Sequence, residues 1–129
     1  MMESDKKIIL VVDDEPAICQ LCQRVLAEAG FEVEIAGNGR IAQSMISKQE
    51  YDLYLFDIKM PIESGRELYI WLQGAHPDSA ERVIFITGSA LGSDTESFLQ
   101  NSGRPVLLKP FTTEELKTLI GTALEETDK

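Results

Sequence analysis

Five short apolar runs alternate with stretches of helical periodicity along the chain, and no other feature limits its fold as strongly. The runs are IILVV (Ile8–Val12), FEVEIA (Phe31–Ala36), DLYLFD (Asp52–Asp57), RVIFIT (Arg82–Thr87) and PVLLK (Pro105–Lys109). Four of them are nearly continuous in apolar residues, as strands buried on both faces are. FEVEIA instead alternates apolar and acidic residues, as a half-exposed strand does. Such strands, separated by helices, predict one α/β domain with a parallel sheet covered on both sides and right-handed crossovers.

The helical stretches carry boundary signals of their own. Pro16 stands in the first turn of PAICQLCQRVLAEAG, and Gly30 follows its end. Asn38-Gly39 opens NGRIAQSMISKQ. SGRELYIWLQGA sets Leu68, Trp71 and Leu72 on one side. SDTESFLQNSG is short and weakly apolar. TTEELKTLIGTALEE takes Thr112 or Thr113 as its cap, and Glu114 and Glu115 suit its positive N-terminus. The chain has 129 residues and shows no repeat or low-complexity tract. It reads as a single domain over residues 1–129, with a core from about 7 to 124 and loose ends near Met1–Asp5 and Glu126–Lys129.

Asp57 follows four apolar or aromatic residues, Leu53 to Phe56, and precedes Ile58. An isolated carboxylate is too costly to bury midway along a strand, so Asp57 is expected at the strand's mouth. Other strands also end in polar groups: the first in Asp13-Asp14, the fourth in Thr87 and the fifth in Lys109. In open α/β sheets the ligand crevice lies at those carboxyl ends, at the topological switch point. The strand order 2-1-3-4-5 of a flavodoxin-like doubly wound (βα)5 sheet makes strands one and three neighbours. Asp13, Asp14 and Asp57 then meet.

Clustered carboxylates repel one another, and a divalent cation relieves the repulsion. Mg²⁺ takes oxygen ligands, keeps several waters, and is usually held by one or two carboxylates plus a phosphate. The cluster therefore suits Mg²⁺, with Mn²⁺ as an alternative, and leaves a place for a phosphoryl group. Lys109 offers a point charge to that group, Thr87 a hydroxyl donor, and Asp57 a carboxylate nucleophile. Taken singly, each residue has a plainer role: Asp13 or Asp14 as a helix cap, Thr87 as a strand-end hydroxyl, Lys109 as a surface lysine. Their joint placement at one end of one sheet favours the chemical reading.

Composition narrows the field. Net charge is −10, with 22 acidic against 12 basic residues, which argues against direct contact with nucleic-acid phosphates or an anionic membrane. No apolar run reaches the length of a membrane span, and MMESDKK is polar rather than signal-like, so a cytoplasmic protein is expected. Cys19 and Cys22 form a C-x-x-C, but they fall within the apolar face Ile18, Leu21, Cys22, Val25 and Leu26. The single histidine, His76, is remote in sequence. Packing, with Cys22 in the core and Cys19 at its edge, is favoured over redox or zinc chemistry.

VVDDEP (Val11–Pro16), DIKMPIESG (Asp57–Gly65), FITGS (Phe85–Ser89) and LLKPF (Leu107–Phe111) occur in order and at the spacing of one family. Over roughly Lys7 to Leu124 the chain resembles the receiver domain of bacterial two-component response regulators, of the chemotaxis-regulator type. The resemblance implies that Asp57 is the phosphoacceptor and that Asp13 and Asp14 bind the metal, one of them through water. It implies that the Lys59 backbone carbonyl completes the metal shell. Thr87 corresponds to the switch hydroxyl, Lys109 to the lysine that contacts the phosphoryl group, and Pro110 to the proline after a cis peptide bond. Gly88 is the small residue that keeps the phosphate reachable.

One position departs from the pattern. The family often carries Tyr or Phe two or three residues before the lysine; the position three before it is Val106 here. Readout is then expected in the segment Gly88–Gly103, whose apolar anchors are Leu91, Phe98 and Leu99. The implied partner is a histidine kinase or histidine phosphotransfer domain, with a downstream protein target and a monomeric or weakly dimeric state. The chain could stand alone or belong to a hybrid histidine kinase, and would catalyse only its own phosphorylation and dephosphorylation. Two rivals share parts of this pattern. A flavodoxin-like FMN carrier would want Ser, Thr and Gly where Asp13-Asp14-Glu15 stands. A haloacid-dehalogenase-type phosphatase would want D-x-D after the first strand, where Asp14 is followed by Glu15 and Pro16.

Overall fold

The structure is a computed structural model and describes residues 6–60, 62–88 and 92–127. Five strands, β1 (Ile8–Val12), β2 (Glu32–Ala36), β3 (Leu53–Asp57), β4 (Val83–Thr87) and β5 (Val106–Leu108), form one sheet. All pairings are parallel and the order is β2-β1-β3-β4-β5. The helices are α1 (Pro16–Glu28), α2 (Gly39–Lys48), α3 (Gly65–Ala75), the single turn α4 (Pro77–Ala80), α5 (Ser93–Ser102) and α6 (Thr113–Thr127).

Alternation along the strands divides the core in two. Leu10, Val12, Tyr54, Phe56, Val83 and Phe85 point to the face covered by α2, α3 and α5. Ile9, Val11, Leu53, Leu55, Ile84 and Ile86 point to the face covered by α1 and α6. Both sides of β1, β3 and β4 are therefore dry, which is why these strands read as unbroken apolar runs. Cys22 packs in the second cluster beside Val25 and Leu26.

Cap chemistry fixes where several helices begin. Asn38 accepts from the Ile41 N–H at 2.9 Å and opens α2. Ser64 and Glu67 form a reciprocal capping box at the start of α3. Thr112, the first of the two expected candidates, forms another with Glu115 at α6. Neither Asp13 nor Asp14 caps α1; Glu15 occupies its N-cap and makes no capping bond.

Two features differ from expectation. α4 was not foreseen, because four residues cannot display a helical period; Pro77 at its first position is the only trace. The C-terminal end, expected loose from Glu126, is helical through Thr127. Met1–Asp5, Pro61, Ser89, Leu91, Asp128 and Lys129 lie outside the described residues.

A close backbone approach holds the loop after β3. A Cβ built on Gly65 would lie 2.2 Å from the Asp57 carbonyl oxygen. The Gly65 N–H donates to the Ile58 carbonyl at 3.1 Å, so α3 starts against the end of β3. On the other side of the loop, a Cβ on Gly39 would lie 2.7 Å from the Glu63 carbonyl oxygen. Ile62, exposed in the same loop, has φ 72°, a left-handed conformation that costs a branched residue about 1–2 kcal/mol. Replacing Gly65 by Ala is expected to destabilise the fold by about 1–3 kcal/mol. Gly88→Ala, where a Cβ meets nothing within 4 Å, should stay within about 0.5 kcal/mol of the parent. Urea denaturation of the two variants checks the contrast.

Candidate functional site

Sheet hydrogen bonding carries just past the strand ends and sets the site residues side by side. Val12 of β1 pairs with Phe56 of β3, so Asp13 and Asp57 follow on adjacent strands. The Asp13 N–H donates to the Ala36 carbonyl at 3.1 Å. Asp57 lies opposite Ile86, and Thr87 opposite Leu108. The Lys109 N–H donates back to the Thr87 carbonyl at 2.8 Å. The Lys109–Pro110 peptide is cis, as the resemblance implied.

Asp13, Asp57 and Thr87 expose 4% of their surface or less, whereas Asp14 is exposed. Asp57 is thus at the strand's mouth, as the sequence required, but it is covered there. One oxygen from each of Asp13, Asp14 and Asp57 lies within 4.8 Å of the others. The Lys109 ammonium faces this group, 3.3 Å from Asp13 Oδ2 and 3.6 Å from Asp57 Oδ1. It also hydrogen-bonds Glu15 Oε1. Asp13 Oδ1 accepts from the Glu15 N–H at 2.9 Å.

The electrostatics follow from this crowding. Burial first, then the Asp13 charge, push the Asp57 carboxyl up to about 7, while Lys109 pulls the other way. The Lys59 backbone N–H also favours the charged form. Burial raises Asp13 as well, against the opposing pull of the Glu15 N–H and Lys109. Burial also works against a charged Lys109, but Glu15, Asp13 and Asp57 outweigh it and hold the ammonium protonated well above the usual lysine range.

Two buried polar atoms, Asp13 Oδ2 and Thr87 Oγ1, have no hydrogen-bond partner among the described residues. Buried polar atoms normally find partners; Asp13 Oδ2 has the Lys109 ammonium at ion-pair range, 3.3 Å away, while the Thr87 hydroxyl has no such partner among the described residues. The donor set is all oxygen, which fits Mg²⁺ or Mn²⁺ rather than a softer metal. The exposed Asp14 leaves one side open to the waters that Mg²⁺ keeps. Lys59 is exposed in the loop directly after Asp57, and Gly88 is exposed beside Thr87 with open space where a Cβ would be. Asp13, Asp14, Asp57, Lys59, Thr87, Gly88 and Lys109 therefore all fall at one end of the sheet.

The C-x-x-C is packing. Cys19 Sγ donates to the Asp13 carbonyl at 3.3 Å and Cys22 is fully buried. Burial lifts their thiols to about 11 and about 12, with the neighbouring Asp13 charge adding to it. Such thiols are inert rather than reactive.

The sequence matches the response regulator receiver domain family over residues 9–121. The chain belongs to that family. As a receiver it is a phosphoryl acceptor in two-component signalling, not a classical enzyme, and neither the flavin-carrier nor the phosphatase alternative finds support. The receiver is similar to the response regulator receiver domain protein (CheY-like) of Methanospirillum hungatei JF-1. The two share 32% identity and a TM-score of 0.87, over 96% of this chain and 98% of that one. It also resembles the signal receiver domain of a histidine kinase from Syntrophus aciditrophicus, with 28% identity and a TM-score of 0.84 over 93% and 91% of the two chains. Among curated relatives, it is 31% identical to the transcription factor SKN7 of Saccharomyces cerevisiae, over 87% of this chain and 18% of that protein. It is 32% identical to the probable transcriptional regulator ycf27 of Porphyra purpurea, over 99% and 51% respectively. The receiver thus spans about a fifth of one of these relatives and about half of the other.

Sequence reasoning did not single out Glu15 or Gly65. Glu15 was legible only as a third acid after Asp13-Asp14. Gly65 carries no local signal, since its need arises from a strand end brought against it in space.

The raised Asp57 carboxyl has a consequence for stability. A carboxyl lifted on folding binds its proton more tightly in the folded state, so its contribution is most favourable below its unfolded value. That contribution is lost as pH rises toward the folded value of about 7. In the metal-free protein, Asp57→Asn is expected to stabilise by on the order of 1–3 kcal/mol at about pH 8, with the gain largely gone at about pH 4. Thermal melts of both proteins across that range, with chelator present, check it; a variant less stable than the parent at the alkaline end would contradict it.

Proposed function

We propose that Asp57 accepts the phosphoryl group, and that Asp13, Asp14, Asp57 itself and the Lys59 backbone carbonyl are the metal ligands. The observation that carries this is a buried carboxylate at a strand end, flanked by an acid pair, faced by Lys109 at 3.6 Å and bordered by a buried Thr87 hydroxyl without a hydrogen bond among the described residues. An Asp57 oxygen attacks phosphorus in line with the P–N bond of a phosphohistidine. The P–O bond forms as the P–N bond breaks, and the electron pair stays on the imidazole nitrogen. Lys109 balances charge on the transferring group and Thr87 donates its hydroxyl to it. The acid cluster would hold Mg²⁺, which would supply further neutralisation of charge on the transferring group. Water later attacks phosphorus, the bond to Asp57 breaks, and inorganic phosphate leaves with the carboxylate restored. The receiver thereby catalyses only its own phosphorylation and dephosphorylation.

The donor in this reading is a histidine kinase or histidine phosphotransfer domain, and the output is a protein target rather than nucleic acid. Residues 1–129 act as a single receiver unit in the cytoplasm, as a monomer or weak dimer. No helix among the described residues is long and apolar enough to cross a membrane, and the net charge of −10 disfavours anionic surfaces.

Readout passes through α5 rather than an aromatic at β5. Val106 is half-buried and β-branched, with a stiff side chain. α5 lacks a side-chain N-cap, and Leu99 is its only buried residue. Its other anchor is Phe98, stacked edge-on against Phe85 at 5.5 Å and Tyr69 at 5.9 Å, with the Arg66 guanidinium 5.0 Å from its ring centre. Phe85 stands two residues before Thr87 on β4, so a shift of Thr87 reaches α5 through these rings.

Incubation with acetyl phosphate and Mg²⁺, followed by peptide mass spectrometry, should place the label on Asp57 alone. Asp57→Asn should abolish it, and the Asp13→Asn, Asp14→Asn double variant should slow it on the order of a hundredfold. Label at the parental level on either variant would refute the assignment. Hydrogen exchange with and without beryllofluoride should change most across residues 88–103; changes centred on α6 instead would place the readout elsewhere.

A further inference from the structure

We infer that Glu15 is a positioning residue that holds the Lys109 ammonium at the rim of the site and so limits how readily Asp57 is phosphorylated. This deepens the reading above and rests on its assignment of Asp57 and Lys109.

Three carboxylates surround the Lys109 ammonium, and they are not equivalent. Asp13 Oδ2 and Asp57 Oδ1 stand at ion-pair range, 3.3 and 3.6 Å away. Glu15 Oε1 accepts a side-chain hydrogen bond from the Lys109 ammonium. Asp13 Oδ2 faces the same ammonium from inside the site as an ion pair. One N–H of the ammonium is thus directed outward, to the most exposed of the three acids.

Glu15 is placed for this by its backbone. It occupies the N-cap of α1 with extended dihedrals and makes no capping bond to its own helix. Its N–H donates to Asp13 Oδ1, which fixes it beside the acid pair. From there its side chain reaches across to the β5 end, 94 residues away in sequence. A residue at an N-cap that leaves its helix uncapped and binds a lysine on another strand serves the site rather than the helix.

A phosphoryl group on Asp57 needs Lys109 to turn at least one of its three N–H groups inward. Glu15 competes by holding the ammonium toward the rim. The competition is weak, because the Glu15 side chain is 56% exposed against 17% for Lys109 and a water-exposed ion pair is readily displaced. Glu15 therefore tunes the reaction rather than blocking it.

Glu15→Gln is expected to raise the rate of phosphorylation by acetyl phosphate about two- to fivefold, and to tighten beryllofluoride binding by a similar factor. Glu15→Asp, with a shorter reach, should fall between parent and Gln variant. In a Lys109→Met background the Glu15→Gln change should have no effect on either quantity. A gain that persists there would mean that Glu15 acts through its field on the incoming anion, and would overturn the inference. Should Lys109→Met react too slowly to compare, ¹³C relaxation of the Lys109 Cε methylene in the unphosphorylated protein decides. Its mobility should rise in Glu15→Gln; unchanged mobility would overturn the inference. A parent that takes no label at all would sink the Asp57 assignment itself. A labelled parent with Glu15→Gln unaltered in rate and affinity would sink this inference alone.

Discussion

Repulsion between Asp13 and Asp57, two carboxylates buried on adjacent strands, is the constraint around which the rest of the site is arranged. Parallel pairing of β1 with β3 leaves them no way to separate, because Val12 and Phe56 are locked opposite each other. Among the described residues, the Lys109 ammonium faces both. Even so both carboxyls lie above the usual range, chiefly because they are buried, and on Asp57 the Asp13 charge adds to the burial. The fold thus carries a stored demand for positive charge at one point, and an all-oxygen donor set that suits a hard divalent cation.

The surrounding scaffold is stiff where this demand has to be held and lightly built where a change has to be transmitted. β1, β3 and β4 are dry on both faces, and Gly65 lets α3 start against the Asp57 carbonyl. Capping boxes lock the beginnings of α3 and α6. α5, by contrast, has neither a side-chain cap nor more than one buried residue. Local stability is expected to be lowest there, next to the strand that carries Thr87.

Much of this was legible in the sequence because it depends on period and position. Five apolar runs separated by helical stretches dictate a covered parallel sheet, and the sheet order then brings Asp13, Asp14, Asp57, Thr87 and Lys109 to one edge. Asn38 and Thr112 were legible as caps because their chemistry is local. α4 was not, being too short for a period to register. The depth of Asp57 escaped as well, since burial of a strand end depends on how loops fold over it. Glu15 looked like one more surface acid; its role depends on Lys109, which is distant in sequence and adjacent only through β1-β3-β4-β5 pairing. The glycine at position 65 is dictated by a neighbour in space, which no window of sequence displays.

The central claim is that the acid cluster and Lys109 form one site in which cation and phosphoryl group are bound together. Thermal melting with Mg²⁺ alone, beryllofluoride alone and both together tests it most directly. Each ligand stabilises only to the extent that it binds the folded chain. The account predicts a small shift with Mg²⁺, almost none with beryllofluoride, and a shift with both that clearly exceeds the sum. Additive shifts, or a beryllofluoride shift that survives chelation of the metal, would contradict it.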